Sequence, residues 1–186
     1  MLQAWRGGDP AALEELLLMV EPRLVSLCFR MCGRPQDARD LCQEAMVKII
    51  QGLPGFTGRS RVSTWMIRVT MNVCLTDRRR GKIRRTTSLD APCGQGTAGE
   101  DRTLGDSRTS DGEPTPAERV ERGEDLGRLS RGLARMEPEQ RALLILRDAQ
   151  GLDYAEIADV MEIPVGTVKS RLFRARVALR EEVEKG

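Results

Sequence analysis

Residues Gly151 to Arg180 read GLDYAEIADVMEIPVGTVKSRLFRARVALR. Asp153, with Glu156 three residues on, has the spacing of a capping box at a helix start. Ile157, Ala158 and Met161 then face inward at helical spacing, and Pro164 fits the first turn of a second helix. On a wheel turning about 100° per residue, Val168, Leu172, Ala175 and Leu179 of that second helix fall within a narrow arc. Thr167, Ser170, Phe173, Arg174 and Val177 lie opposite, and Lys169, Arg171, Arg176 and Arg180 flank the apolar face. Two short amphipathic helices, a tight turn and a second helix studded with cations form the layout of a helix-turn-helix, whose second helix enters a DNA major groove. Far-side residues near its N-terminus reach base edges, while flanking cations hold phosphates. A solvated helix with a charged face would share the charge but not the capped partner helix, the turn or the Thr/Ser/Phe outer surface. DNA is therefore the first candidate ligand. The reading residues are Thr167, Lys169, Ser170, Arg171, Phe173, Arg174 and Arg176, with the Arg174 fork matched to O6 and N7 of guanine.

Upstream, helical patterning persists. Leu126, Leu129, Leu133 and Met136 form one stripe, and Glu137-Pro138 restarts a helix carrying Ala142, Leu143, Ile145 and Leu146 that ends at Gly151. From Thr86 to about Pro116 periodicity disappears in favour of Gly, Ser, Thr, Asp and Pro. Such a segment buries too little surface to offset its chain entropy, and reads as a flexible linker. Before it lie three more helical units. Asp9-Pro10 starts the first, with Leu13, Leu16, Leu17 and Val20, then Leu24, Leu27, Cys28 and Met31 after Pro22. Pro35 opens the second, with Ala38, Leu41, Cys42, Ala45 and Ile49 on one face. A Gly-bounded loop leads to the third, about Val62 to Arg80, with Trp65, Val69 and Val73 facing inward. No alternating strand pattern appears. The expected fold is all-α: two small helical domains, 1–85 and 119–186, joined by a flexible acidic linker, 86–118.

Charge follows the same division. Residues 1–85 carry 15 basic and 8 acidic side chains, 86–118 carry 2 and 7, and 119–186 carry 13 and 13. A basic module, an acidic spacer and a mixed module result. The basic excess concentrates between Arg59 and Arg85, where six of the eight residues 78–85 are cationic, a phosphate-binding density. Arg68 and Asn72 are four apart and share a helix face. The neighbouring loop, Gly58-Arg59-Ser60-Arg61, offers small polar groups and free backbone amides. The combination suits single-stranded or distorted DNA in which an extruded base is cradled. A solvated basic tail is the plain alternative, and a second DNA module on the same chain argues against it. Asp37, Asp40, Gln43 and Glu44 form an acidic-polar surface on this basic module. Such a surface repels DNA and suits either a protein partner or simple solubility.

Several classes are excluded. There is no histidine, no phosphate-cradling Gly-Lys-Ser/Thr motif and no clear carboxylate site, so no catalytic arrangement and no enzyme are expected. The five cysteines (Cys28, Cys32, Cys42, Cys74, Cys93) show no disulfide framework and read as small buried hydrophobes. No metal or cofactor is expected. No run approaches the roughly 20 apolar residues of a membrane span, and MLQAWRGGDP lacks a signal peptide's apolar region. A cytoplasmic protein with no membrane insertion is expected.

Three segments carry a resemblance to a known family. DARDLCQEAMVKII (37–50) is similar to the core-polymerase-binding segment of the bacterial extracytoplasmic-function (ECF) sigma factors. FTGRSRVSTWMIRVTMNVCLTDRRR (56–80) resembles their minus-ten-recognition segment, with its F-x-G loop, T-W, R-x-x-x-N and D-x-x-R pattern. LRDAQGLDYAEIADVMEIPVGTVKSRLFRAR (146–176) is similar to their minus-thirty-five-recognition helix-turn-helix. The resemblance implies that Asp37, Asp40, Gln43 and Glu44 bind the clamp helices of the largest polymerase subunit. An apolar groove around Leu129, Leu133 and Leu143 would take the flap of the second-largest subunit. It implies that Gly58, Arg59, Ser60, Arg61 and Ser63 capture a flipped minus-ten base, while Trp65, Arg68, Asn72, Arg78 and Arg79 hold the opened DNA. The helix-turn-helix residues named above would read the minus-thirty-five element as duplex. Melting would be driven by binding of the extruded strand, and an anti-sigma protein would be the controlling partner. Met46 stands where the family has a familiar aromatic, and the linker is long and Gly-rich for the class. A free-standing regulator with the same helix-turn-helix, or a protein that only sequesters polymerase, are the alternatives. The first leaves 56–85 unexplained.

Overall fold

The computed structural model describes residues 10–87 and 127–185. Every element among them is helical. Helix α1 spans Pro10–Cys32, α2 Pro35–Gly52 and α3 Val62–Thr87; a short 3₁₀ turn, Leu53–Gly55, follows α2. Helix α4 covers 127–135. Then come α5 (Pro138–Leu144), a π-type turn (Ile145–Ala149), α6 (Tyr154–Met161) and α7 (Val165–Glu184). Asp9, the expected cap of α1, and most of the expected linker lie outside the described residues.

Helices α1, α2 and α3 pack on one another because their stripes coincide. Leu24, Leu27 and Met31 of α1, Ala38, Ala45 and Ile49 of α2, and Met66, Ile67 and Met71 of α3 are all buried. Each of these Leu, Ile and Met side chains contributes roughly 1.5–3 kcal/mol of burial. That suffices to carry α1 straight through Pro22, where a lost backbone hydrogen bond and a ring clash cost about 3 kcal/mol. The α1–α2 junction is Gly33, at φ +77°, a conformation glycine adopts without penalty. Cys28, Cys42 and Cys74 are core residues, with the Cys74 thiol donating to the Cys28 sulfur at 3.7 Å. The Cys42 thiol is pushed well above its ordinary range by its hydrogen bond to Cys28 and by burial, so these sulfurs behave as packing groups.

In the second group, α5 and α6 pack on α7 through Leu143, Leu146, Ile157, Val168, Leu172 and Ala175. The capping box forms as expected: the Glu156 amide donates to Asp153 Oδ1 at 2.8 Å and the Asp153 amide to Glu156 Oε2 at 3.0 Å. Two details differ from expectation. Pro164 is the N-cap residue of α7, one position before its first turn. Helix α3 continues through the basic run to Thr87, where the pattern alone ended near Arg80.

The two groups share one buried core. Helix α3 lies against α6 and α5, and α1 against α5 and the π turn.

Candidate nucleic-acid interface

Helix α7 presents what its wheel promised. Val168, Leu172 and Ala175 are buried and Leu179 half-buried, which turns the opposite face outward. Phe173 is 69% exposed and Val177 43%. The two stand four residues apart and so share one side of the helix. Lys169, Ser170, Arg174 and Arg176 are exposed, and Thr167 and Arg171 half-buried. Ser170 Oγ donates to the Thr167 carbonyl at 3.0 Å, orienting its hydroxyl at the start of the helix. Arg176 pairs with Asp148 at 2.9 Å, and Arg171 lies 3.9 Å from Glu139. Lys169 and Arg174 form no ion pair among the described residues.

The second constellation is built around Phe56 and Trp65, whose rings pack 5.3 Å apart. The Phe56 amide donates to the Leu53 carbonyl at 3.1 Å and the Trp65 amide to the Arg61 carbonyl at 3.0 Å. Both ends of the loop 57–61 are thereby pinned. Gly58 sits at φ +78° with open space around it, and Gly58, Arg59 and Arg61 are exposed, Ser60 and Ser63 half-buried. The α3 surface beyond the loop carries exposed Asn72 and half-buried Trp65 and Arg68.

Several of these α3 cations are already engaged. Arg68 Nη1 lies 3.2 Å from Asp159 Oδ1 of α6, and Arg79 Nη2 lies 3.1 Å from Glu139 Oε1 of α5. The Thr64 hydroxyl donates to Glu156 Oε1 at 3.0 Å. Arg78 donates through Nη2 to the Met31 carbonyl at 3.1 Å, near the C-terminus of α1. Asn72 and Arg79 line a cleft of about 500 Å³ whose far wall is Glu139, Met161, Glu162, Ile163 and Arg171.

The acidic surface of α2 is where the pattern placed it. Asp37, Asp40, Gln43 and Glu44 are exposed, with Glu44 bonded to Lys48 at 2.7 Å. Of the expected apolar groove, Leu129 is 39% exposed and Leu133 half-buried, but Leu143 is 1% exposed. Leu143 is core between α5 and its neighbours and has no surface to offer a partner. Helical spacing marked it as apolar and could not separate a groove wall from a core position.

Sequence reasoning missed Arg141. It is 1% exposed, donates through Nη1 to the Met31 carbonyl at 2.6 Å, and has an unpartnered buried Nε. Burial, then the neighbouring Arg78 charge, lowers its pKa to about 10. A signal was present: Arg141 stands four residues before Ile145, on the apolar stripe of α5.

Comparison with known proteins matches this architecture. Residues 16–84 match the Sigma-70 region 2 family and residues 126–179 the Sigma-70, region 4 family. The chain is 32% identical over 188 residues to the RNA polymerase sigma-H factor of Pseudomonas aeruginosa, covering 99% of this chain and 92% of that protein. It is 31% identical over 185 residues to the ECF RNA polymerase sigma-E factor of Escherichia coli K12, covering 99% and 93%.

The chain belongs to the ECF RNA polymerase sigma factors.

Solved structures agree on the fold of this sigma factor. The sigma factor RpoE in complex with the anti-sigma factor NepR, from Bartonella quintana, superposes with a TM-score of 0.65 at 21% identity, covering 93% of this chain and 97% of that one. CnrH in complex with the cytosolic domain of CnrY gives 0.65 at 19% identity, covering 99% and 95%. Region 2 thus corresponds to the α1–α3 group and region 4 to the group ending in α7. No helix of the described residues is long and apolar enough to cross a membrane.

Proposed function

We propose that this sigma factor directs core RNA polymerase to promoters through two separate readers, organised as residues 1–85 and 119–186 with 86–118 between them. The observation that carries this is the outward face of α7, where Phe173, Arg174 and Lys169 stand exposed on a helix whose opposite face is fully committed to the core. Thr167, Lys169, Ser170, Arg171, Phe173, Arg174 and Arg176 read minus-thirty-five duplex. Phosphate contacts set the register and Arg174 supplies base recognition.

The region 2 reader handles the melted strand. The pinned loop with Gly58, Arg59, Ser60, Arg61 and Ser63 receives a flipped base, because its exposed amides and small side chains leave room for one. Trp65 offers a stacking face, and Arg68, Asn72, Arg78 and Arg79 hold the adjoining backbone. Strand separation draws on binding energy to the extruded strand, so no catalytic group is required. Asp37, Asp40, Gln43 and Glu44 dock on the polymerase clamp helices by charge complementarity, and Leu129 with Leu133 meets the flap. Leu143 supports that surface from beneath. An anti-sigma protein is the expected controlling partner, as in the solved complex of RpoE with NepR, and the cytoplasm the expected site of action.

The test is transcription in vitro. The purified chain plus core polymerase is expected to open promoters of its own genome, seen as permanganate-reactive thymines near the minus-ten position. If no promoter opens with core enzyme present, the proposal fails.

A further inference from the structure

Cys32 stands apart from the other described cysteines. Cys28, Cys42 and Cys74 are buried, whereas Cys32, the last residue of α1, is half-buried. The Met31 carbonyl, in the peptide bond that leads into Cys32, lacks its helical partner: position 35 is proline, which has no N–H. Two guanidiniums take that place. Arg141 donates to the carbonyl through Nη1 at 2.6 Å and Arg78 through Nη2 at 3.1 Å. Each keeps a buried Nε without a partner, and Arg141 is 1% exposed. Buried donors left unpaired are rare, and here two of them sit on like charges beside one thiol. We propose that Cys32 is an oxidation site for peroxide, its thiol becoming a sulfinate whose two oxygens accept from the idle Nε groups of Arg78 and Arg141.

The chemistry needs only hydrogen peroxide. The Cys32 sulfur attacks one peroxide oxygen; an S–O bond forms, the O–O bond breaks, and the departing oxygen takes the thiol proton and leaves as water. Sulfur gives up two electrons and the peroxide gains them, which leaves a sulfenic acid. A second peroxide repeats the step and leaves a sulfinic acid, which loses its proton to solvent. The product carries one negative charge and two acceptor oxygens, matching two cations with one free donor each.

The site favours the product more than the reaction. Burial first holds the Cys32 thiol above its ordinary range, its hydrogen bonding with Arg34 and the Arg78 charge pull the other way, and Asp37 opposes them. The resting thiol is therefore protonated and slow to react. It donates to the Arg34 carbonyl at 3.3 Å, and Asp37 is exposed and lies 3.8 Å from Arg34. Oxidation places an anion where Arg78 and Arg141 otherwise repel each other. Arg78 is also among the residues assigned to opened DNA. On that reading, capture of Arg78 by the sulfinate weakens the hold on the melted strand.

The test uses the full chain in a Cys93→Ser background, so that no thiol outside the described residues reacts. After exposure to hydrogen peroxide, peptide mass spectrometry is expected to find a gain of two oxygens at Cys32 before any at Cys28, Cys42 or Cys74. Cys32→Asp places a carboxylate at the site without an oxidant, and Cys32→Asn is its neutral control. The aspartate variant is expected to melt roughly 2–4 °C above the asparagine one, and the difference to vanish when Arg141→Met is added to both. Cys32 remaining a thiol after the buried cysteines have reacted, or a disulfide to Cys28 in place of the sulfinate, overturns the proposal. So does an aspartate variant that melts no higher than the asparagine one. Promoter opening with core polymerase separates this from the role of Arg78. The oxidised chain is expected to open promoters more slowly than the reduced one, and Cys32→Ser to be indifferent to peroxide. Unchanged opening by a chain oxidised at Cys32 overturns the strand-holding role of Arg78 and leaves the oxidation site standing.

Discussion

Glu162 holds a backbone conformation that side chains avoid, φ 54° and ψ 45°. The left-handed region costs an L-residue about 1–2 kcal/mol. It is tolerated because it closes α6 and swings the chain into α7, with the Glu162 and Ile163 amides both donating to the Ala158 carbonyl. A β-branched residue fits there worst. Glu162→Val is expected to lower the unfolding free energy by about 1–2 kcal/mol, whereas Glu162→Gly lowers it little or raises it; urea midpoints decide. Arg141 gives a second prediction at this scale. Its pKa stands at about 10, below the ordinary 12.5, so the unfolded chain binds its proton more tightly than the folded one. Stability must then rise as pH climbs from about 10 toward 12.5, with the penalty of the buried charge fully present below that window. The groups facing it are Arg78 and Cys32. Arg141→Met keeps the volume and removes the charge, so its stability minus that of wild type should be most favourable near neutrality and shrink above pH 10. A difference curve flat across that range would show that Arg141 is solvated.

At the scale of elements, α4 meets α7 at Gly132. A Cβ built there lies 2.8 Å from Val183 Cγ2, closer than packed atoms approach. Overpacking of this kind costs about 1–3 kcal/mol, against a helix-propensity gain of about 1 kcal/mol for replacing glycine. Gly132→Ala should destabilise region 4 slightly in the wild-type chain and stabilise it in a Val183→Ala background; the sign reversal in a double-mutant cycle is the measurement. For α7, Arg174→Ala is expected to cost about 1–3 kcal/mol at one promoter position, read as relaxed specificity there in competition binding with core enzyme present. Helix α7 was legible because one face is wholly apolar and period 3.6 exposes the other. The end of α3 was not, because a run of cations has no hydrophobic period to mark where a helix stops. The π turn at 145–149 was invisible for a related reason: a widened turn changes backbone bonding without changing which residues are apolar.

At the scale of the molecule, two modules touch through a contact rich in charge. Exposed ion pairs fade when the Debye length shrinks to about 3 Å near 1 M salt. The free chain should therefore loosen at this contact with added salt, seen as a rising radius of gyration in solution scattering. A compact wild-type chain at high salt would place the holding energy in apolar packing instead. The same contact explains why the candidate site was only half visible beforehand. Arg68, Asn72 and Arg79 announce themselves as a basic face by spacing alone. Nothing local announces that Asp159 and Glu139, 91 and 60 residues away, would cover it.

By itself, the order of residues settled the helices, their buried faces, the capping box at Asp153 and the cationic outer surface of α7, because each depends on neighbours within a turn or two. Tertiary structure decided the rest. It made Leu143 core, sent Arg141 into a dry contact, and set Glu139, Glu156 and Asp159 on the region 2 face. Those outcomes depend on how two separately patterned surfaces meet, and helical periodicity carries no record of its distant partner.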